Sequence, residues 1–262
     1  MFTAVIAIGL TGAACGAVLA VAARLFAVHE DPRVEELMAA LPGVNCGGCG
    51  FAGCADYAKA IARQQAPLNL CAPGGAETVQ KLAAVMGVAA APLARKVAIV
   101  LCGGDRQRAA RKFCYNGIAD CAAAAAVGGG DKLCGYGCLG YGSCARVCPV
   151  NAIEITPGGI ARVHPELCIG CGRCVRACPR RLIHLVPAER FIHVLCSSKD
   201  KGPVVKKACQ VGCIGCTLCT KLAGGAIKMD GALAVVDYAQ PLENEAVIEK
   251  CPGHCIVKVP AT

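Results

Sequence analysis

Cysteine accounts for 23 of the 262 residues, and most of these cysteines fall into short, regular runs. The clearest is Cys168-x2-Cys171-x2-Cys174-x3-Cys178-Pro179. Three closely spaced thiolates wrap three irons of one cubane, and the fourth, turned away by the proline, ligates a second cluster. Such a run needs a partner elsewhere in the chain. Upstream stands Cys134-x3-Cys138-x5-Cys144-x3-Cys148-Pro149, which ends the same way but carries Tyr141 where the middle cysteine belongs. Cross-ligation, with Cys134 supplying the missing ligand, gives one [4Fe-4S] cluster on Cys134, Cys138, Cys144 and Cys178. It gives a second on Cys148, Cys168, Cys171 and Cys174. Zinc ribbons also use C-x2-C pairs, but triplets closed by Cys-Pro are not zinc spacing.

A third triplet, Cys213, Cys216 and Cys219, precedes Cys251-Pro252. Laid on the first run, the positions of Cys148, Cys168, Cys171 and Cys174 hold Ala223, Pro241, Asn244 and Val247. Those four are the complete ligand set of one cluster, so a whole site has gone, and the surviving set places a third cluster on Cys213, Cys216, Cys219 and Cys251. Near the N-terminus Cys46-x2-Cys49-x4-Cys54-x16-Cys71 is interleaved with glycines at 43, 47, 48, 50 and 53. Glycine lets backbone N–H groups approach a cluster, and this quartet makes a fourth site. The remaining seven are Cys15, Cys102, Cys114, Cys121, Cys196, Cys209 and Cys255. The gaps between Cys102, Cys114 and Cys121 match no known run, and all seven read as buried thiols.

The elements that carry these runs repeat. Copy one opens with the apolar run Val97 to Cys102 and copy two with Phe191 to Cys196; each then reaches C-x3-C-[IL]-G, at Cys134 to Gly140 and at Cys209 to Gly215. Hairpin signals lie at Ile153–Ile155 and Ile160–Val163 around Pro157-Gly158-Gly159, and again from Ala226 to Val236 around Asp230-Gly231. Asp31-Pro32 can start a helix that Leu41-Pro42-Gly43 ends; a second helix, Ala55 to Arg63, follows the first cysteine group. The alanine-rich stretch Ala83 to Ala94, ending near Pro92, reads as a linker.

Phe2 to Ala23 is an uncharged stretch ended by Arg24, longer than a signal-peptide core and without a basic leader. It reads as a membrane anchor. Arg24 and Arg33 then place the bulk of the chain on the cytoplasmic side of the inner membrane, a reducing compartment that excludes disulfides. The Gly12-x3-Gly16 step is a weak helix-packing hint, and Cys15 a small filler. The expected fold class is α+β: an N-terminal transmembrane helix (1–28), a four-cysteine domain (29–90), a two-cluster ferredoxin-like module (91–190) and a degenerate one-cluster module (191–262).

Composition agrees with small, metal-stapled units. Aromatics are 4%, tryptophan is absent, and the mean hydropathy of +0.52 is raised by alanine, cysteine and the one apolar segment. The formal charge is +9 with thiols neutral; four clusters at roughly −2 each bring it close to zero. The basic excess therefore balances clusters and is not a nucleic-acid footprint. Arg106, Arg108, Arg111, Lys112, Lys199, Lys201, Lys206 and Lys207 could either dock an acidic ferredoxin or solvate the surface. The five histidines are scattered, and no dinucleotide fingerprint or P-loop is present, so the chain has no seat for flavin or NAD. It can move single electrons but not a hydride.

The segment Gly43-Val-Asn-Cys-Gly-Gly-Cys-Gly50 to Cys54, the run Cys134-Gly-Tyr-Gly-Cys-Leu-Gly140 and Val194-Leu-Cys-Ser-Ser-Lys-Asp-Lys-Gly202 resemble the B subunit of the Rnf ion-translocating electron-transport complex, in its longer form. The resemblance covers essentially the whole chain. It implies a membrane-tethered polyferredoxin exchanging electrons with soluble ferredoxin, in a complex whose other subunits carry flavins and NAD. Some relatives are thought instead to reduce a redox-sensing regulator, and the chain does not separate the two. Ala223, Pro241, Asn244 and Val247 are the departures, at one expected C-terminal cluster.

Overall fold

The computed structural model describes residues 2–26, 31–90 and 94–259, without the side chains of 3–5, 7 and 8. His29 and Pro92, around which the linker was expected, lie outside the described residues. The chain is mixed helix and strand.

Helix α1 (Phe2–Leu25) opens it. Among the described residues no helix is long and apolar enough to cross a membrane. The expected transmembrane helix is corrected accordingly. The inner-membrane placement with the bulk on the cytoplasmic side, which rested on a single N-terminal span, falls with it.

Three short helices follow: α2 (Arg33–Ala40), α3 (Cys54–Ala62) and α4 (Gly75–Met86). Asp31 accepts from the Arg33 backbone N–H (3.0 Å), and the helix stops at extended Leu41. Val34, Leu37, Tyr57, Ala58, Ile61 and Leu82 form one buried cluster between the three helices. The buried Tyr57 hydroxyl donates to the Pro67 carbonyl (2.7 Å) and accepts from Leu70 N–H (3.2 Å), which fixes the chain just before Cys71.

The rest of the chain repeats one topology. In copy one β1 (Lys96–Val100) pairs antiparallel with β4 (Ile183–Pro187), and between them in sequence sits the hairpin β2 (Ile153–Ile155)–β3 (Ala161–Val163). In copy two β5 (Ile192–Val194) pairs with β8 (Ile256–Lys258), around the hairpin β6 (Ile227–Asp230)–β7 (Leu233–Val236). Each opening strand therefore closes against the strand that follows a Cys-Pro. The short helices α5 (Cys121–Ala126), α6 (Ser143–Arg146), α7 (Arg173–Ala177), α8 (Gly202–Ala208), α9 (Leu218–Leu222) and α10 (Ala246–Glu249) fill the spaces between. The two copies are joined along their edges: Gly103 N–H donates to the Leu195 carbonyl (3.0 Å), Gln210 N–H to that of Arg108 (2.8 Å), and the Ser197 hydroxyl to that of Leu101 (2.9 Å).

Candidate metal centres

The N-terminal quartet sits on the loop before α3, on its first residue and after the turn at Leu68–Leu70. Asn45, in the left-handed region (φ 48°), accepts from the Cys54 N–H at 2.8 Å and so turns the loop back onto the helix start. Gly48 N–H donates to Cys46 Sγ (3.4 Å). Burial pushes the Cys71 thiol up, and charge on Cys54, Cys46 and Cys49 adds to the rise, so the four sulfurs share one neighbourhood.

Copy one holds two sets. Cys148, Cys168, Cys171 and Cys174 form the first: burial pushes Cys174 up to about 12, with Cys168, Cys171 and Cys148 adding to it. The second surrounds an apolar cavity lined by Cys138, Cys144 and Cys178, and its fourth thiol is Cys121. Cys134, expected there from spacing, does not line that cavity; it stands with Cys102, Cys196 and Cys209 around another. Local hydrogen bonds explain the exchange. Asp120 caps α5 by accepting from Ala122 and Ala123 N–H, and its other oxygen takes the Ser143 hydroxyl (2.8 Å), fastening Cys121 beside Cys144. Tyr141, in the place of the missing cysteine, donates instead to buried Asp131 (2.9 Å). Nothing in the spacing marked Cys121; the one sequence signal was the Asp-Cys start of an alanine helix.

Copy two gathers Cys213, Cys216, Cys219 and Cys251 around a cavity that Cys255 also lines. The Cys255 thiol lies 3.7 Å from Cys251. Hydrogen bonding from Cys255 holds Cys213 down to about 6 and Cys251 down to about 5, while the same bonds drive Cys255 itself far up. Where copy one has its other quartet, copy two is packed solid: Ala223 and Val247 are buried in one apolar cluster, and the Asn244 amide donates to the Leu222 carbonyl (2.9 Å).

The same backbone device recurs at each Cys-Pro. Asn151 (φ 51°), Arg181 (φ 52°) and His254 (φ 44°), each third after its cysteine, are left-handed non-glycines. The turn returns the next N–H to the sulfur: Ala152 to Cys148 (3.2 Å) and Leu182 to Cys178 (3.5 Å). Such conformations cost about 1–3 kcal/mol and persist where the surroundings demand them. N–H groups aimed at sulfur are what a thiolate–metal centre requires of its surroundings.

The donor set fits iron–sulfur groups. No carboxylate or imidazole lines the three thiol cavities, and thiolate-only sets select soft metals and clusters. Among the described residues no group of three or more His, Cys, Asp or Glu is placed to hold a metal ion. Of the eight basic residues that could either dock a ferredoxin or solvate the surface, several are engaged internally: Arg108 with Asp105 (3.8 Å), Arg111 with Asp131 (3.2 Å), Lys112 with the Gly128 carbonyl (2.8 Å), Lys199 with Asp230 (2.7 Å). Lys201, Lys206 and Lys207 are exposed.

A duplicated strand-and-hairpin unit with thiol sets closed by Cys-Pro defines an iron–sulfur electron-transport protein of ferredoxin type. Residues 41–73 match the family described as "Putative Fe-S cluster", and residues 134–182 that described as "4Fe-4S dicluster domain". The chain is 42% identical over 250 residues, 95% of its length and 75% of the relative's, to the B subunit of the Na+-translocating ferredoxin:NAD+ oxidoreductase complex of Acetobacterium woodii. It is 40% identical to the B subunit of the ion-translocating oxidoreductase complex of Methanosarcina acetivorans (94% of this chain, 93% of the relative). Against the B subunit of the proton-translocating ferredoxin:NAD+ oxidoreductase complex of Clostridium ljungdahlii the identity is 41% (94% and 88%). The chain belongs to the family of Rnf B subunits.

Proposed function

We propose that this chain is a polyferredoxin subunit that passes electrons between a soluble ferredoxin and the flavin- and NAD-bearing subunits of an ion-translocating complex, with no substrate-converting site of its own. The observation that carries the reading is the adjacency of the thiol sets. Cys144 of one set and Cys174 of the next lie in one buried cluster, and the Gly48 loop of the N-terminal quartet packs against the Cys171 main chain. Four groups of ligands are proposed: Cys46, Cys49, Cys54 and Cys71; Cys121, Cys138, Cys144 and Cys178; Cys148, Cys168, Cys171 and Cys174; and Cys213, Cys216, Cys219 and Cys251. They fall in units over 29–90, 91–190 and 191–262. Bound there, [4Fe-4S] clusters supply reversible one-electron carriers.

The chain's own residues do the rest. Buried Leu, Ile and Val around the thiols exclude water, and backbone N–H groups from Gly48, Ala98, Ala152 and Ala234 donate to Cys46, Cys168, Cys148 and Cys213. Cys216 is the exposed thiol of the C-terminal set and suits exchange with a soluble carrier. Anaerobic purification of the full chain, with iron and sulfide analysis and titration by reduced ferredoxin, tests the reading. At least about sixteen irons per chain with signals appearing on reduction are expected. Bound zinc in place of iron, or no reversible redox signal, overturns it.

A further inference from the structure

Cys102, Cys134, Cys196 and Cys209 line one largely apolar cavity at the junction of the two copies. Two of these thiols come from each copy, and they are equivalent pairs. Cys102 and Cys196 end the opening apolar runs, just past β1 and β5; Cys134 and Cys209 each open a C-x3-C-[IL]-G segment. The spacings within the pairs differ widely, so no run pattern unites them; the edge-to-edge joining of the copies does. Cys209 itself forms a bridge with Ala109 of copy one, and a Cβ on Gly104 would stand 2.9 Å from its sulfur.

One of the four sulfurs receives a backbone hydrogen bond, Cys138 N–H donating to Cys102 (3.3 Å). Burial pushes the Cys134, Cys196 and Cys209 thiols up, and nearby backbone N–H groups oppose that rise. The wall also carries a charge. Lys132 is 1% exposed, its ammonium donates to the Gly104 carbonyl, and it makes no ion pair among the described residues. A buried cation left without a counter-charge is strongly unfavourable, whereas a four-iron cluster with its four thiolates brings about −2.

We infer that Cys102, Cys134, Cys196 and Cys209 hold a further [4Fe-4S] cluster, seated between the two ferredoxin-like copies with Lys132 as its counter-charge. The inference rests on the iron–sulfur reading above and deepens it. Cys196 adjoins Cys213 of the C-terminal set, and Cys102 adjoins Cys138 of copy one. The site thus closes the gap that four quartets leave between the C-terminal set and the rest.

Native mass spectrometry of the anaerobically purified full chain counts clusters directly and needs no variant. Five clusters, about twenty irons, are expected. Cys196→Ser and Cys209→Ser should each carry four, and Lys132→Met should shift the reduction potential of one cluster to more negative values in an EPR-monitored titration. Four clusters in the unaltered chain, unchanged in both serine variants, overturn this site and leave the four-quartet reading standing; so do four clusters with one zinc. A chain without iron overturns both.

Discussion

Gly48, in the first cysteine loop, lies against Cys171 of the ferredoxin-type run: a Cβ at position 48 would stand 2.7 Å from the Cys171 carbonyl oxygen. Beside this contact Arg176 donates to the Cys46 carbonyl (3.2 Å). Residues of two thiol sets, more than a hundred positions apart in sequence at this contact, are thereby brought backbone to backbone.

Gly48→Ala should separate them, because the obstructing atom is main chain and cannot swing aside. Overpacking of this kind costs about 1–3 kcal/mol. Iron content should stay at the unaltered value while hydrogen exchange rises around 46–54 and 171–176 and reduction of the N-terminal cluster slows. Unchanged exchange in both segments would refute the contact.

Cys121→Ser should remove the same cluster as Cys178→Ser, with about four irons lost in each case and identical residual EPR spectra. Cys134→Ser should leave that cluster in place. If instead Cys134→Ser and Cys178→Ser give the same spectrum, the ligand set derived from spacing stands and Cys121 is a packed thiol.

Asp131 is fully buried, paired with Arg111 and hydrogen-bonded by Tyr141, and its second oxygen has no hydrogen-bond partner among the described residues. Breaking a fully buried pair on one side costs about 3–5 kcal/mol, and here the cost is smaller because Arg111 is 33% exposed. Asp131→Ala should therefore lower the denaturation midpoint, and the Arg111→Ala/Asp131→Ala double variant should lose less than the two single losses added together.

His193 is 2% exposed, beside the Tyr238 hydroxyl at 2.9 Å. Burial pulls its pKa down to about 4, against a smaller opposing effect of the Arg190 backbone. The unfolded chain thus binds the extra proton first. The stability that neutral His193 permits is complete above about pH 6.5 and is lost as pH falls toward 4, by up to about 3 kcal/mol. Comparing urea midpoints at pH 7 and 5, His193→Gln should show a shallower acid slope than the unaltered chain.

If Lys206 and Lys207, exposed at the end of α8, contribute to a ferredoxin-docking face, Lys206→Glu/Lys207→Glu should slow ferredoxin oxidation several-fold at low salt and converge with the unaltered chain at high salt. A ratio independent of salt would exclude docking there.

By itself the sequence determined the chemistry and the repetition. Thiols within one C-x2-C-x2-C run are neighbours whatever the fold, because a few residues of chain cannot part them. The hairpins at 153–163 and 226–236 followed from alternation and glycine-bearing turns, and the loss of one quartet from copy two was visible as Ala223, Pro241, Asn244 and Val247. Tertiary structure alone decided which distant thiol completes a set. Cys121 lines the cavity of Cys138, Cys144 and Cys178, and Cys134 does not, because Asp120 is tied to Ser143 and Arg146, contacts across more than twenty residues that no spacing encodes. It also decided that Cys102, Cys134, Cys196 and Cys209 meet, since their convergence depends on how two copies dock. Local chain geometry sets distances over a few residues; beyond that, only packing does.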